Sequence, residues 1–218
     1  VRREHLVPFK IDLHVHTRHS GDNSADPEDM VQEALARGLD GIAFTEHYSY
    51  GASEYAERLR EKYAGSIRIL RGVEFSAAEG HCLVFGVDTD GLSIKGAFLG
   101  ELVAAVNERG GAAVPSHPYR GGSGAGETVK TLAGIAALEG YNGANPHHMN
   151  LRAIEAARSL GLPFIGGSDA HASSEVGSCY TEFADEVTEE NFLDALRSGR
   201  YAGCDVRKVS RWSWLPGR

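Results

Sequence analysis

Seven short apolar runs, most of them separated by helical patterns, set the architecture this chain can adopt. The first, Phe9-Lys10-Ile11-Asp12-Leu13-His14-Val15-His16, alternates with β period and breaks at Ser20-Gly21-Asp22. A helix is expected over residues 27–38, where Asp26 can cap, Pro27 opens the first turn, acids follow it and Gly38 ends it. Strands are then expected near 41–45, 67–73, 82–87, 112–115, 135–139 and 164–167, with helices near 54–63, 98–109, 127–132 and 151–160. Only the link between the third and fourth strands lacks a helix. Strands separated by helices imply a parallel α/β sheet, and the count is close to that of a closed barrel. The expected fold is therefore a seven-stranded, TIM-like (β/α) barrel. Residues 175–183 and 189–198 read as an appended hairpin or strand and a closing helix.

Nothing divides the chain. Its 218 residues, with 42% apolar and 24% charged, fit one soluble domain over 1–218, and there is no long linker or fixed-period repeat. The net charge of −8 argues against nonspecific binding to nucleic acid or anionic membranes, although bound cations would make the local field suit an anionic substrate. Cys82, Cys179 and Cys204 are widely spaced and unpaired in pattern, which suits a reducing cytoplasm. Arg2, Arg3, Glu4 and His5 are followed by no long apolar stretch, so no membrane targeting is expected, and His5 reads as a terminal residue without a role.

The strand ends carry the chemistry. In His14-Val15-His16 the two imidazoles project from one strand face and can reach one cation. An isolated pair of this kind is as readily two solvated or core histidines. Here, however, later strands end in Thr45-Glu46-His47, Gly72-Val73-Glu74, Ser116-His117-Pro118 and Ser168-Asp169-Ala170-His171, and His81 starts the fourth strand. Ligands arriving at the carboxyl ends of parallel strands would converge on one mouth of a barrel. Nitrogen and carboxylate donors without cysteine suit catalytic manganese, zinc or ferrous iron better than a closed structural zinc site. A carboxylate can also bridge two cations about 3.5–4 Å apart, and Glu74, in the middle of the series, is the candidate bridge.

This order of motifs resembles the polymerase and histidinol phosphatase (PHP) domain superfamily over residues 12–171. The resemblance is to its small stand-alone metal-dependent phosphoesterases. It implies a distorted seven-stranded barrel and a centre of two to three divalent cations, manganese first, with zinc or iron as alternatives. By the same resemblance His14, His16, Glu74 and Asp169 surround one metal, and Glu74 bridges to a second completed by His81 and His117. Asp22, His47 and His171 then hold a third. Glu46 stands where the family more commonly has Asp, and Asp22 lies six residues after His16 where other members place the equivalent group five residues on. The spacing from His117 to Asp169 leaves no room for the longer insertion of members acting on nucleotide bisphosphates or RNA ends.

The expected activity is hydrolysis of a small phosphate mono- or diester by a metal-bridging hydroxide, with Glu74, Asp169 and His171 as the catalytic set. Arg120, in a glycine-flanked loop, is the candidate phosphate ligand, against the bland reading of a surface arginine. Asn142 is expected to face the same mouth and to hydrogen-bond either the substrate or a metal ligand, and His19 is a candidate proton donor, substrate contact or substitute ligand. His147 and His148 read as helix-capping or surface residues. Asp12 either orients a ligand imidazole or makes a structural hydrogen bond. Two other readings are amidohydrolase-type attack at carbon and a noncatalytic metal-binding module.

Overall fold

A computed structural model describes residues 8–92 and 97–207 of the chain; His5 lies outside the described residues. Asp26 caps α1 (Pro27–Ala36) through Oδ1, which accepts the Glu28 N–H at 2.8 Å, and such a cap stabilises a helix by about 1 kcal/mol. Met30, Val31 and Ala34 form its buried stripe, packed on Ile42 and Phe44 of β2 (Gly41–Phe44) and on Val15 of β1 (Phe9–Val15). The remaining elements are α2 (Ala56–Lys62), β3 (Arg68–Ser76), β4 (His81–Phe85), α3 (Leu99–Glu108), β5 (Ala112–Pro115), β6 (Leu138–Asn142), α4 (His147–Ser159), β7 (Phe164–Gly167), β8 (Cys179–Phe183), α5 (Phe192–Ser198) and β9 (Tyr201–Asp205).

The expected parallel, closed seven-stranded ring is met in part. Among the described residues the strands form a seven-stranded ladder in the order β5-β4-β3-β2-β1-β8-β9 and a separate β6-β7 pair. Moreover, β4 runs antiparallel to both β3 and β5. Residues 77–80 are too few for the crossover that a parallel pair requires, so the chain turns back directly. That reversal has a consequence for the site. Ser76 pairs with His81, so the start of β4 lies at the same end of the sheet as the finish of β3.

The β6-β7 pair lies between β5, at one end of the long ladder, and β1. Ala136 N–H donates to Ala113 O at 2.9 Å on one side, and on the other Asp169 N–H donates to His14 O at 2.7 Å and His16 N–H to Ala170 O at 2.9 Å. Strand β1 is thus shared, its first half pairing with β8 and its end meeting the continuation of β7. Glycine permits this close approach: a Cβ on Gly167 would lie 2.4 Å from His14 Cβ.

Inward-facing Ile11, Leu13, Ala43, Leu70, Leu83 and Val114 fill the interior below the site. Phe192 and Leu196 of α5 close the opposite end, with Phe192 edge-on to Phe85 at 5.2 Å. A closing helix therefore exists, but β9 follows it and was not expected. Strand β6 begins three residues later than expected, because Ile135 and Ala137 are buried as extended chain outside the ladder, and residues 126–131 form a 3-10 helix. No helix among the described residues is long and apolar enough to cross a membrane.

Candidate metal centre

Every one of the nine sequence-derived ligand candidates lies at one end of the sheet. Three groups of donor atoms converge there: His14, His16, Glu74 and Asp169; Glu74, His81 and His117; and His16, His47 and His171. Glu74 belongs to two of these groups, and His16 to two. Asp22 is absent from the third group and sits on its solvent side, with Oδ2 3.1 Å from His47 Nε2 and 3.0 Å from His171 Nε2.

The backbone turns sharply where these residues leave their strands. Asp169 has φ 54° and His117 φ 28°, values that cost a non-glycine residue about 1–3 kcal/mol each. Both are held by hydrogen bonds: Asp169 N–H to His14 O, and His117 N–H to Glu139 Oε2 at 2.7 Å. The turns aim the two side chains back at Glu74 and His14.

Glu74 is the centre of the arrangement. Its carboxylate lies 2.8 Å from His117 Nε2, 3.2 Å from His47 Nδ1, 3.3 Å from His81 Nδ1, 3.4 Å from His16 Nε2 and 3.5 Å from His14 Nε2. Burial by itself would raise its pKa, but His14, His117 and His16 outweigh burial and hold it well below the usual carboxylate range. Asp169 is likewise held low by His14 and His16 against the effect of burial. Burial opposes a charge on His14, yet Asp169, Glu139 and Glu74 raise its pKa well above the ordinary imidazole value. His16, also resisted by burial, is raised to about 9 by Asp169 and Glu74.

The outward-facing nitrogens indicate which ring atom each histidine can offer. His14 Nδ1 is 2.8 Å from Glu139 Oε1, and His171 Nδ1 is 2.9 Å from the Asp169 carbonyl, so both rings donate there and present Nε2 to the cluster. His47 and His81 instead turn Nδ1 toward Glu74, and both atoms are buried without a hydrogen-bond partner. Orphaned buried nitrogens among converging carboxylate oxygens are the donor set that divalent cations require, so the residues fit such a group.

Glu139 was missed as a site residue by sequence reasoning. It is 1% exposed, bonds His14 Nδ1 and His117 N–H, and accepts from Asn142 Nδ2 at 3.0 Å. The only signal was an acid at the end of an apolar run, without a neighbouring histidine. Asp12, considered for this orienting task, instead accepts backbone N–H groups of Ser168, Gly177 and His14, and burial raises its pKa to about 6. It ties the top of β1 to the segment after β7.

Arg120 does reach the cluster, with Nη2 2.8 Å from Asp169 Oδ2; it also donates to Asn142 Oδ1 at 2.7 Å and to Asn145 Oδ1 at 2.8 Å. Asn142 is fully buried, and its amide is committed to Glu139, Asp169, Arg120 and Ala144 N–H, leaving nothing free for a substrate. His19 is not brought to the cluster: its ring stacks on Tyr55 at 4.4 Å, and none of the three donor groups includes it. His147 and His148 form the first turn of α4.

Comparison with known proteins fits this geometry. An uncharacterized protein of Methanocaldococcus jannaschii is 26% identical over 121 residues, which are 51% of this chain and 68% of that protein. A histidinol-phosphatase of Lactococcus lactis is 35% identical over 77 residues, 30% of this chain and only 29% of that enzyme. A crystal structure from Bacteroides vulgatus, of a two-domain protein containing a predicted PHP-like metal-dependent phosphoesterase, superposes with a TM-score of 0.71 at 21% identity. It covers 91% of this chain and 65% of that one. The family described as PHP domain matches residues 12–110, and the one described as PHP-associated matches residues 147–201. His117, Glu139 and Asn142 fall between the two matches, on elements that the fold returns to the same centre. The chain is similar to the PHP domain family over residues 12–110 and to its associated segment over residues 147–201.

Proposed function

We propose that this protein is a metal-dependent phosphoesterase acting on a small phosphate mono- or diester with a centre of two to three divalent cations. One observation carries the reading: the single buried carboxylate of Glu74 lies within 3.5 Å of five imidazoles and belongs to two adjoining ligand groups. Such a carboxylate suits bridging between neighbouring cations. His14, His16, Glu74 and Asp169 would hold one, Glu74, His81 and His117 a second, and His47 and His171 with Asp22 the most exposed third. Manganese is proposed first, with zinc or iron as alternatives, since these donors accept several first-row ions.

When bound, the cations supply an activated water and neutralise phosphoryl oxygens. The protein's own residues do the rest. Glu139 and the Asp169 carbonyl fix the orientation of the His14 and His171 rings. Arg120 is about a quarter exposed beside Asp169 and can offer Nη1 to a phosphate while Asn145 holds its Nε and Asn142 and Asp169 hold its Nη2. His171, at the exposed rim, is placed to hand a proton to a leaving group when it is not serving as a ligand.

The test is a panel of phosphomonoesters, phosphodiesters and amides assayed with manganese after chelator treatment. Turnover of a phosphate ester that chelation abolishes and manganese restores is expected. Turnover confined to amides, or none at all with a full metal complement, would contradict the reading.

A further inference from the structure

Beside the metal-facing ends of β1 and β2 lies another wholly buried carboxylate that the proposed chemistry leaves unused. Glu46 is 0% exposed and points away from the cluster, under the loop that follows His16. Its Oε2 accepts the Thr17 N–H at 3.1 Å and the Ser20 hydroxyl at 2.5 Å, and its Oε1 accepts the Thr17 hydroxyl at 2.6 Å and the Tyr55 hydroxyl. Ser20 Oγ has two further neighbours, the His47 backbone N–H at 3.1 Å and His16 Nδ1 at 3.0 Å.

Hydrogen-bond arithmetic settles how these groups share one hydroxyl proton. A serine hydroxyl donates once and accepts twice. The His47 N–H can only donate, and the Glu46 carboxylate takes the single Ser20 proton. The remaining contact, with His16 Nδ1, must then run from the ring to the oxygen. A ring protonated at Nδ1 presents the lone pair of Nε2, the atom that lies 3.4 Å from Glu74 and 3.3 Å from Asp169.

We infer that Ser20 and Glu46 are positioning residues for the metal centre: Glu46 polarises the Ser20 hydroxyl so that its oxygen locks His16 in the Nδ1–H tautomer and anchors the His47 backbone. His14 and His171 reach the same state through a carboxylate and a carbonyl, whereas His16 reaches it through a serine that a buried acid has oriented. Glu46 also joins Tyr55 to this network, which ties the start of α2 to the first site loop. His16 is shared by two of the three donor groups, so an error in its tautomer weakens both. The inference rests on the proposed metal centre: His16 Nε2 lies 2.9 Å from His14 Nε2 and faces Glu74 and Asp169, so it is the cation-loaded protein that needs the Nε2 lone pair there.

The experiment uses two readouts. The first is the imidazole nitrogen NMR spectrum of the zinc-loaded protein. The expected signal for His16 is a protonated Nδ1 and a metal-bound Nε2; metal on Nδ1 would overturn the inference. The second is zinc affinity by chelator competition. Ser20→Ala should bind zinc about 10–100-fold more weakly, and Ser20→Thr, which keeps the hydroxyl, should restore affinity to within a few-fold. Wild-type affinity in a folded Ser20→Ala protein would overturn it. A wild-type protein that bound no zinc, manganese or iron would sink the proposed function itself, whereas a metal-loaded wild type with an unaffected Ser20→Ala variant would sink this inference alone.

Discussion

His14, His16, Glu74 and Asp169 are at most 3% exposed, while the side chains of Asp22, His47 and His171 are 41, 13 and 35% exposed. The inner group is fixed from behind: Glu139 on His14, Ser20 on His16, Asn142 and Arg120 on Asp169, and Ser116 Oγ on Glu74 at 2.7 Å. The outer group is held chiefly by Asp22, a carboxylate on a loop with water on one side. Charges in the inner group are desolvated, so each depends on its partners, and loss of one partner leaves others uncompensated. The outer group loses little when one member goes, because water can replace it. The inner wall is therefore expected to decide whether metal is retained, and the rim to tune access and turnover.

Four changes test that contrast. Glu74→Ala should have the largest effect, removing both metal retention and detectable phosphoester hydrolysis, as read by elemental analysis and activity on the same sample. Next, Glu139→Gln should weaken metal binding by about 10–100-fold, because an amide cannot serve both His14 Nδ1 and His117 N–H as a carboxylate does. Chelator competition measures it. Asp22→Asn should alter affinity by no more than about tenfold and cost at most the outermost cation. If Asp22→Asn matched Glu74→Ala, the distinction between wall and rim would be lost.

The smallest effect is on stability against pH in the chelated protein. His16 has a folded pKa near 9 against 6.5 for the free ring, and His14 is raised in the same direction. A raised histidine contributes stability that is fully present below pH 6.5 and is lost as pH rises through about 9. The melting temperature of the metal-free protein should therefore fall across that window, by about 2–4 °C for each kcal/mol lost in a chain of this size. Metal loading should remove the fall, since the cations replace the protons. A metal-free protein equally stable at both ends of the window would show that the inner carboxylates do not act on these rings.

Much of this centre was legible because its ligands sit beside strand ends that have strong β patterns. His14 and His16 share a strand face, and Asp169 and His171 follow a glycine-bounded strand, so sequence neighbours became neighbours in space. His81 was legible as a ligand type, but its reach to the centre depends on β4 running backwards, which the short link after Ser76 determines. What was not legible depended on pairings distant in sequence. Glu139 meets His14 across 125 positions, and no local pattern distinguishes it from Asp12, which lies two residues from His14 and binds backbone instead. Likewise, no local pattern shows that Asn142, expected at the same mouth, spends its amide on four protein partners. Nor does counting strands reveal that β1 divides its edge between β7 and β8.

The central claim is that Glu74 joins neighbouring cations in one buried centre. Crystals of the manganese-loaded wild type, with anomalous scattering recorded at the manganese edge, test it most directly. The account predicts at least two anomalous peaks, both in contact with the Glu74 carboxylate, one also met by His14, His16 and Asp169 and the other by His81 and His117. A single peak that does not touch Glu74, or none among these residues, would contradict it.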